Sequence, residues 1–552
     1  MNIKNLFQYE PNPEYNFTIE PKEQITEHKN NEKTSFKKIY KSLDQNLEYI
    51  KYKYNTLINS DIVIRDFLLI AKDKEYKAFL LYIDGMSDSE LINNFILNPL
   101  MLRNHANTFN GTTNFNYAPK KVTAKKIKHI DLADYIYNSL IPQNDVKKQN
   151  DFDEVSLSVN SGNCVLFVDT IDIAFDIDVK GFQQRSVDKP DIENVIKGPQ
   201  EAFVENIRTN TSLLRRFVNN QNLIIEDVTI GQISQTKCAL CYMQNITNSS
   251  LVAEARYRLN NLEIDTLIST GQLEQLIQDD DVSGIPQILS TERPDRCVKG
   301  LMQGRAVILV NGNPYALIIP SVITDFISSP EDSNLKPLFA NFLKAIRILA
   351  LLITLLLPGT YIAITSFHQE LLPTELLFSI FASRENVPFP IIFEILVMEI
   401  SFELIREGGL RSPSAIGSTL GIVGALILGD AAVSANIVSP FLIIIVAITG
   451  LSSFAIPDFS FGFHLRVYRF IFILLGFTAG FLGIGIGIYI YISTICSLKS
   501  FGVSYTAPIN SDSYGSNSKY FIPPFWKQEY RSGFLAPKKE ISQNKISMKW
   551  KS

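Results

Sequence analysis

Hydrophobic residues follow two different patterns along the chain. Over residues 35–341, short apolar runs such as DIVIRDFLLIA and SGNCVLFVDT are separated by charged and Asn/Gly-rich stretches. The β-branched and aromatic residues in these runs predict half-buried strands, and a capping box at Ser87 and Glu90 predicts a helix start among them. Over residues 342–497 the apolar runs are long and carry few charges, which predicts helices that span a membrane.

These patterns predict an α/β (α+β) soluble N-terminal region of two subdomains, followed by an all-α polytopic membrane domain. We interpret the polar cluster at residues 143–154 as the boundary between the subdomains. The predicted segments are a disordered N-terminal arm (1–34), soluble subdomain 1 (35–148), soluble subdomain 2 (149–341), a transmembrane helical domain with about four to six membrane segments (342–497) and a C-terminal cytoplasmic tail (498–552).

Basic residues beside the apolar runs predict the orientation of the chain. Lys344 and Arg347 precede the first apolar run, and the tail over residues 527–551 is rich in Lys and Arg. The N-terminal region and the tail are therefore both expected on the cytoplasmic side, which requires an even number of crossings. We expect the last apolar run, 468–495, to form a hairpin broken within residues 483–487; otherwise the tail lies outside.

Three glutamates lie within one apolar run. Glu399 and Glu403 are one helical turn apart on the same face, whereas Glu394 points to nearly the opposite face. Because an ionisable side chain at membrane depth is costly, it normally faces protein or a water-filled cavity. We therefore predict that Glu399 and Glu403 form a polar seam that faces protein or water, and that Glu394 contacts another helix. In the alternative interpretation, Glu403 lies near a helix end and pairs with Arg406, and Glu399 is held by a hydrogen bond to another helix.

Small residues recur at helical spacing in the following apolar run. Gly417, Gly421 and Gly424 stand at positions i, i+4 and i+7, and we predict that they form an interhelical contact. Gly476 and Gly480 repeat the four-residue spacing in the last run, which favours tight packing or oligomerisation.

The polar residues predict no catalytic site. A net charge of −4 without a long basic stripe argues against a nucleic acid partner. Cys238 and Cys241 form a CxxC motif in a predicted strand, but no further zinc ligands stand at a suitable spacing. The histidines show no metal-ligand spacing. We therefore expect no enzyme activity, no metal site and no cofactor.

Two ordered motifs in the apolar region resemble a known family. The stretches PFPxxxExxxxExxFELIREGGLRxPSAIG and GxVGALxLGDAAVxANIVSP are similar to the membrane signature of GerA-type spore germination proteins, specifically the A subunit. The stretches VIKGPQEAFVENIRTNTSLLRR, PQILSTERPDR and SFGVSY agree with this resemblance, which covers roughly residues 36–525. Gly408 stands where the family usually has alanine, a small change.

The resemblance implies a subunit of a nutrient germinant receptor in the spore inner membrane, acting with a permease-like B subunit and a lipoprotein C subunit. It also implies a homo-oligomer around a path for monovalent cations, whose opening triggers germination. Glu399 and Glu403 are the candidates to line this path, because carboxylates in a water-filled path favour cations. The alternatives are an accessory protein of the related SpoVAF type, a non-conducting scaffold, and a transporter subunit. A transporter would carry an inverted internal repeat, which we do not find in the sequence.

Overall fold

The computed structural model describes residues 17–19, 38–71, 74–101, 131–181, 190, 193, 195–280, 283–411, 429–510 and 522–543. Within these ranges the chain forms two five-stranded antiparallel sheets covered by helices, and then a bundle of apolar helices. The predicted order of an α/β region followed by a helical region is thereby confirmed.

The first sheet has helices on both faces. Its strands are β1 (Ile62–Ala71), β2 (Lys74–Ile83), β3 (Val146–Gln149), β4 (Cys164–Val168) and β5 (Ala174–Ile177), in the order β1-β2-β4-β5-β3. The helices α1 (Leu43–Tyr54) and α2 (Phe152–Asn160) cover one face, and short helical segments at 89–97 and 132–140 cover the other. Both faces are therefore apolar, and for this reason all five residues of β4 are buried.

The predicted boundary between the subdomains, at residues 148 and 149, falls inside this first sheet. The polar cluster at 143–154 contains β3, an edge strand with two exposed lysines, and the start of α2. Edge strands often carry lysine because its charge discourages pairing with another chain. β4 and β5, which the sequence analysis places in subdomain 2, pair with β2 and β3 instead. The polar composition of an edge strand was mistaken for that of a linker.

The second sheet repeats the topology of the first. Its strands are β6 (Leu223–Ile230), β7 (Thr236–Met243), β8 (Leu289–Thr291), β9 (Ala306–Val310) and β10 (Ala316–Ile319), in the order β6-β7-β9-β10-β8. Its helices are α3 (Ile207–Phe217), α4 (Ser249–Asn260), α5 (Thr270–Ile277) and α6 (Pro294–Gln303). α3 and α6 pack on one face, and α4 and α5 on the other.

A buried ion pair joins the two sheet units. Arg215 of α3 donates hydrogen bonds from Nε and Nη2 to the Asp61 carboxylate, at 2.5 and 2.7 Å, and Nη2 also lies 3.2 Å from Asn59 Oδ1. Both charged side chains are almost fully buried. The backbone N–H of Ser60 donates to the carbonyl of Ile225 in β6, at 3.0 Å. The contact therefore depends on one buried charge pair surrounded by neutral hydrogen bonds.

Six α-helices lie between the second sheet and residue 497 in the described residues. They are α7 (Ile323–Ile327), α8 (Pro337–Phe367), α9 (Thr374–Arg384), α10 (Ile391–Arg411), α11 (Pro440–Phe454) and α12 (Phe459–Ser497). Of these, α8 and α12 are long and apolar enough to cross a membrane by length and composition.

The helix α12 is folded back on itself at Gly480. This residue has φ 59° and ψ −138°, a conformation that a side chain would strain. The arm after the break packs against the arm before it, with the hydroxyl of Tyr491 lying 3.3 Å from His464 Nε2. A Cβ atom on Gly483 would clash with the carbonyl oxygen of Leu475. A hairpin was predicted, but its break lies three residues before the predicted segment, whose glycines instead allow the arms to approach.

Both arms of this hairpin contact the second sheet unit. The hydroxyl of Tyr468 in the first arm donates to the carbonyl of Ser283, at 3.0 Å. After the second arm comes a small hairpin of β11 (Lys499–Ser500) and β12 (Val503–Ser504), in which Ser500 Oγ accepts a hydrogen bond from the backbone N–H of Ser321, at 3.1 Å.

The C-terminal residues also return to this end of the bundle. Arg531 Nε donates to the carbonyl of Met302 in α6, at 2.6 Å. Asn341, in the first turns of α8, exchanges two hydrogen bonds with the backbone of Ile522, at 3.1 and 2.6 Å. The tail and the sheet units therefore lie at the same end of the helical bundle.

Candidate functional site

Five charged side chains meet between α10 and the first arm of α12. The helix α10 contributes Glu399, Glu403 and Arg406, which its periodicity places on one side, and α12 contributes Arg466 and Arg469. Charged groups inside an otherwise apolar helical bundle are expensive unless they are paired, so this group (the charge cluster below) is the candidate functional site.

Arg469 lies between the two glutamates. Its Nη2 atom is 2.8 Å from Glu399 Oε2 and 3.1 Å from Glu403 Oε1. Glu399 and Arg469 are fully buried, whereas the side chain of Glu403 is 28% exposed. The two carboxylates that the sequence analysis placed on one face are thus brought together, and a guanidinium from another helix separates them.

The two remaining arginines contact Glu403. Arg406 Nη1 lies 3.5 Å from Glu403 Oε1 and Arg466 Nε lies 3.6 Å from its Oε2. Arg406 also donates to the hydroxyl of Ser453 at the end of α11. The charge cluster therefore contains three positive and two negative charges, an excess of one positive charge. In this arrangement the two glutamates present no net negative potential to a cation.

Several polar atoms of the charge cluster have no hydrogen-bond partner among the described residues. These atoms are both carboxylate oxygens of Glu399, Nε and Nη1 of Arg469, and the Nε atoms of Arg406 and Arg466. Buried polar groups are usually satisfied, and an unpaired one carries a cost in free energy. The charge cluster is therefore held by Coulomb attraction and only a few well-formed hydrogen bonds.

Glu394 belongs to a separate contact. Its Oε1 atom accepts a hydrogen bond from Arg384 of α9, at 3.0 Å, and its Oε2 atom accepts one from the backbone N–H of Ser439, at 3.1 Å, just before α11. The carboxylate is fully buried. The structure thus places Glu394 among three helices, away from Glu399 and Glu403. Gly417, Gly421 and Gly424 lie outside the described residues.

The sequence analysis missed the role of the arginines in α12. It considered no basic residue of the last apolar run as a partner of the glutamates, and it started that run at residue 468. The helix begins at Phe459, so Arg469 lies ten residues inside it. The three-residue spacing of Arg466 and Arg469 was a usable signal, because it places both guanidinium groups on one side of a helix.

The CxxC cysteines lie in the second sheet, away from the charge cluster. Cys238 and Cys241 are both buried in β7. Burial raises the pKa of the Cys238 thiol to about 12 and raises the pKa of the Cys241 thiol as well. In the part of the chain that the structure describes, no three His, Cys, Asp or Glu side chains are grouped to hold a metal ion.

Comparisons with known proteins give the relationships of the chain. The family described as "Bacillus/Clostridium GerA spore germination protein" matches residues 48–534. Spore germination protein KA of Bacillus subtilis (strain 168) is 35% identical over 505 residues, which are 91% of this chain and 88% of that protein. Spore germination protein B1 of the same organism is 37% identical over 472 residues, which are 85% of this chain and 91% of that protein.

One solved structure is similar to the N-terminal half. It is the N-terminal domain of the A subunit of the Bacillus megaterium spore germinant receptor GerK3, with 29% identity and a TM-score of 0.39. The match covers 52% of this chain and 98% of that one.

Proposed function

Because the chain belongs to the GerA spore germination protein family, we propose that it is the A subunit of a nutrient-gated cation channel in the inner membrane of the spore. In this proposal it acts with a permease-like B subunit and a lipoprotein C subunit. Several copies surround a path for monovalent cations, and the release of these ions starts germination.

The return of the chain to one end of the bundle supports a multi-pass arrangement. The helix α8 leaves the sheet units, the two arms of α12 run away from them and back, and the tail contacts α6. An even number of crossings satisfies these contacts. With Lys344 and Arg347 at the start of α8, the positive-inside rule places the sheet units and the tail in the spore core.

The observation that carries the proposal is the pair of glutamates inside the bundle. Ionisable residues inside a helical membrane region are candidates for ion paths and proton relays. Carboxylates that line a path favour cations, and in a symmetric oligomer the same glutamates recur around the axis. Glu403 is partly exposed, whereas Glu399, one turn earlier in the helix, is fully buried. The pair therefore leads from the surface of the bundle into its interior.

The test is to replace each glutamate by glutamine, which keeps its size and hydrogen bonding while removing its charge. Glu399→Gln and Glu403→Gln complexes with their B and C subunits, reconstituted in liposomes, should assemble normally but show reduced nutrient-dependent K⁺ flux or altered selectivity. Glu407→Gln is the matched control, because Glu407 lies on the same helix but is exposed. Wild-type flux and selectivity in both variants would refute the assignment of the cation path.

A further inference from the structure

The guanidinium of Arg469 occupies the space between two carboxylates that a cation would otherwise fill. It approaches Glu399 to 2.8 Å and Glu403 to 3.1 Å. Building on the proposed function, we propose that Glu399 and Glu403 form a binding site for a monovalent cation and that Arg469 is its built-in occupant. Arg469 closes the path until activation withdraws it, and a cation from the solution then takes its place.

Glu399 depends on Arg469 more than Glu403 does. Among the described residues, Arg406 and Arg466 approach only Glu403, whereas Arg469 approaches both carboxylates. Withdrawal of Arg469 leaves two arginines with Glu403 and leaves Glu399 buried without a counter-charge. A buried uncompensated charge is strongly unfavourable, so Glu399 then binds a cation or a proton. In the proposed open path, one monovalent cation replaces one guanidinium.

Arg469 is held in a way that permits withdrawal. Its Nη2 atom alone contacts the glutamates, and its Nε and Nη1 atoms donate to no described group. A guanidinium that binds a carboxylate through two parallel hydrogen bonds is held more firmly, as Arg215 is held by Asp61 in the sheet region. The contact of Arg469 is thus Coulombic with little directional restraint.

The arm that carries Arg469 is also connected to the soluble region. Tyr468, the preceding residue, donates a hydrogen bond to the carbonyl of Ser283. Ser283 lies in the loop between α5 and β8 of the second sheet unit. A movement of this loop therefore acts on the helical arm one residue away from the proposed occupant. This connection provides a route by which the soluble region influences the cation site.

The first experiment removes the occupant. The Arg469→Gln complex, reconstituted with its B and C subunits in K⁺-loaded liposomes, should release K⁺ without nutrient. Its rate should exceed that of the wild type on the order of 100-fold, the shift expected in the closed-to-open ratio when a buried ion pair loses one partner. Arg469→Lys, which keeps the charge, should remain closed. Arg384→Gln is the matched control, because it breaks the separate buried pair with Glu394 and should cause no release.

A second variant separates an opened cation site from damaged packing. Glu399→Gln combined with Arg469→Gln removes the cation site together with its occupant, so K⁺ release without nutrient should return to the wild-type rate. The proposal is overturned if the double variant leaks as fast as Arg469→Gln, since the leak then does not need Glu399. It is equally overturned if assembled Arg469→Gln complexes stay closed. If Arg469→Gln fails to assemble but the double variant assembles, the unpaired charge of Glu399 is the cause, and the proposal is supported. If neither variant assembles, the proposal is overturned.

Guanidinium ion provides a chemical test of the same idea. Arg469→Ala should leak, and low, non-denaturing concentrations of guanidinium chloride should slow the leak by filling the vacated site, whereas equal urea should not. An equal effect of both compounds would contradict the assigned occupant. If the proposed channel function itself is wrong, the result is different. The wild-type complex then shows no K⁺ release with a mixture of amino acids and ribonucleosides that triggers germination of the spores.

Discussion

The close contact between α8 and α12 depends on two glycines, and a single methyl group should disrupt it. A Cβ atom on Gly476 of α12 would lie 2.5 Å from the carbonyl oxygen of Gly359 in α8, and a Cβ on Gly359 would lie 2.7 Å from the carbonyl oxygen of Phe472. A carbon atom and a carbonyl oxygen normally approach no closer than about 3.3 Å. Gly476→Ala must therefore push the helices apart by about 0.8 Å, because backbone cannot rotate away as a side chain would.

This separation has a cost that can be bounded. A gap of about 0.5–1 Å forfeits a quarter to a half of the attraction between the facing atoms, and overpacking a tight contact costs about 1–3 kcal/mol. We expect Gly476→Ala to lower the free energy of unfolding of the bundle by about 1–3 kcal/mol. This corresponds to a change of about 5- to 150-fold in the folding equilibrium constant. Small residues at helix contacts in membranes are favoured because they allow such close approach.

The assay is the fraction of assembled complex that survives heating in detergent, measured by size-exclusion chromatography. Gly485→Ala is the matched control, since Gly485 lies in the second arm of α12 and a Cβ there meets nothing within 4 Å. It should melt with the wild type or slightly above it, because alanine favours helix more than glycine does. Equal melting of Gly476→Ala and Gly485→Ala would refute the close-contact argument.

Three further predictions concern the soluble region and the tail. The fragment 36–335 should fold without detergent, and Asp61→Asn within it should lower the free energy of unfolding by about 3–5 kcal/mol, because a buried arginine loses its partner; an unchanged urea midpoint by circular dichroism would contradict this. A cysteine at Ser532, in a Cys496→Ser background, should resist an impermeant thiol reagent applied outside intact protoplasts, and rapid labelling would mean an odd number of crossings. Burial raises the pKa of Glu274 from 4.5 to about 7. The protonated carboxyl therefore stabilises the fold fully below pH 4.5, and this stabilisation is lost as the pH rises through 7, which lowers the melting temperature. Glu274→Gln should reduce this decrease, and an unchanged dependence of the melting temperature on pH would exclude the role of Glu274.

Local sequence patterns predicted the individual helices and strands better than they predicted which strands pair with one another. The hairpin of β9 and β10 turns through Asn311 and Gly312, and its apolar runs and turn glycine are both local signals. The boundary at residues 148 and 149 was wrong because sheet membership is set by pairing between distant residues. β3 reaches β5 across α2, and nothing in the composition of VKKQ identifies it as part of a sheet.

The candidate site shows the same limit. Periodicity placed Glu399 and Glu403 on one face, because both lie in one helix. Their partner Arg469 follows Glu403 by 66 residues in sequence, and only the packing of the first arm of α12 beside α10 brings it to them. The sequence analysis could state that Glu399 faces protein or a water-filled cavity. It could not choose between these, since that choice depends on which helix lies opposite.

The arrangement of the charge cluster bears on how a cation path could be closed without an apolar plug. Two glutamates alone would attract cations at all times, and a spore must hold its ions until nutrient arrives. In the proposed channel, an arginine on a second helix resolves this conflict, because it neutralises Glu399 in the closed arrangement and leaves it exposed in the proposed open one. The hydrogen bond from Tyr468 to Ser283 lies outside the proposed path and connects the arm that carries Arg469 to the soluble region. A modest change in the soluble region can therefore bias the position of Arg469, provided that the two arrangements differ by only a few kcal/mol.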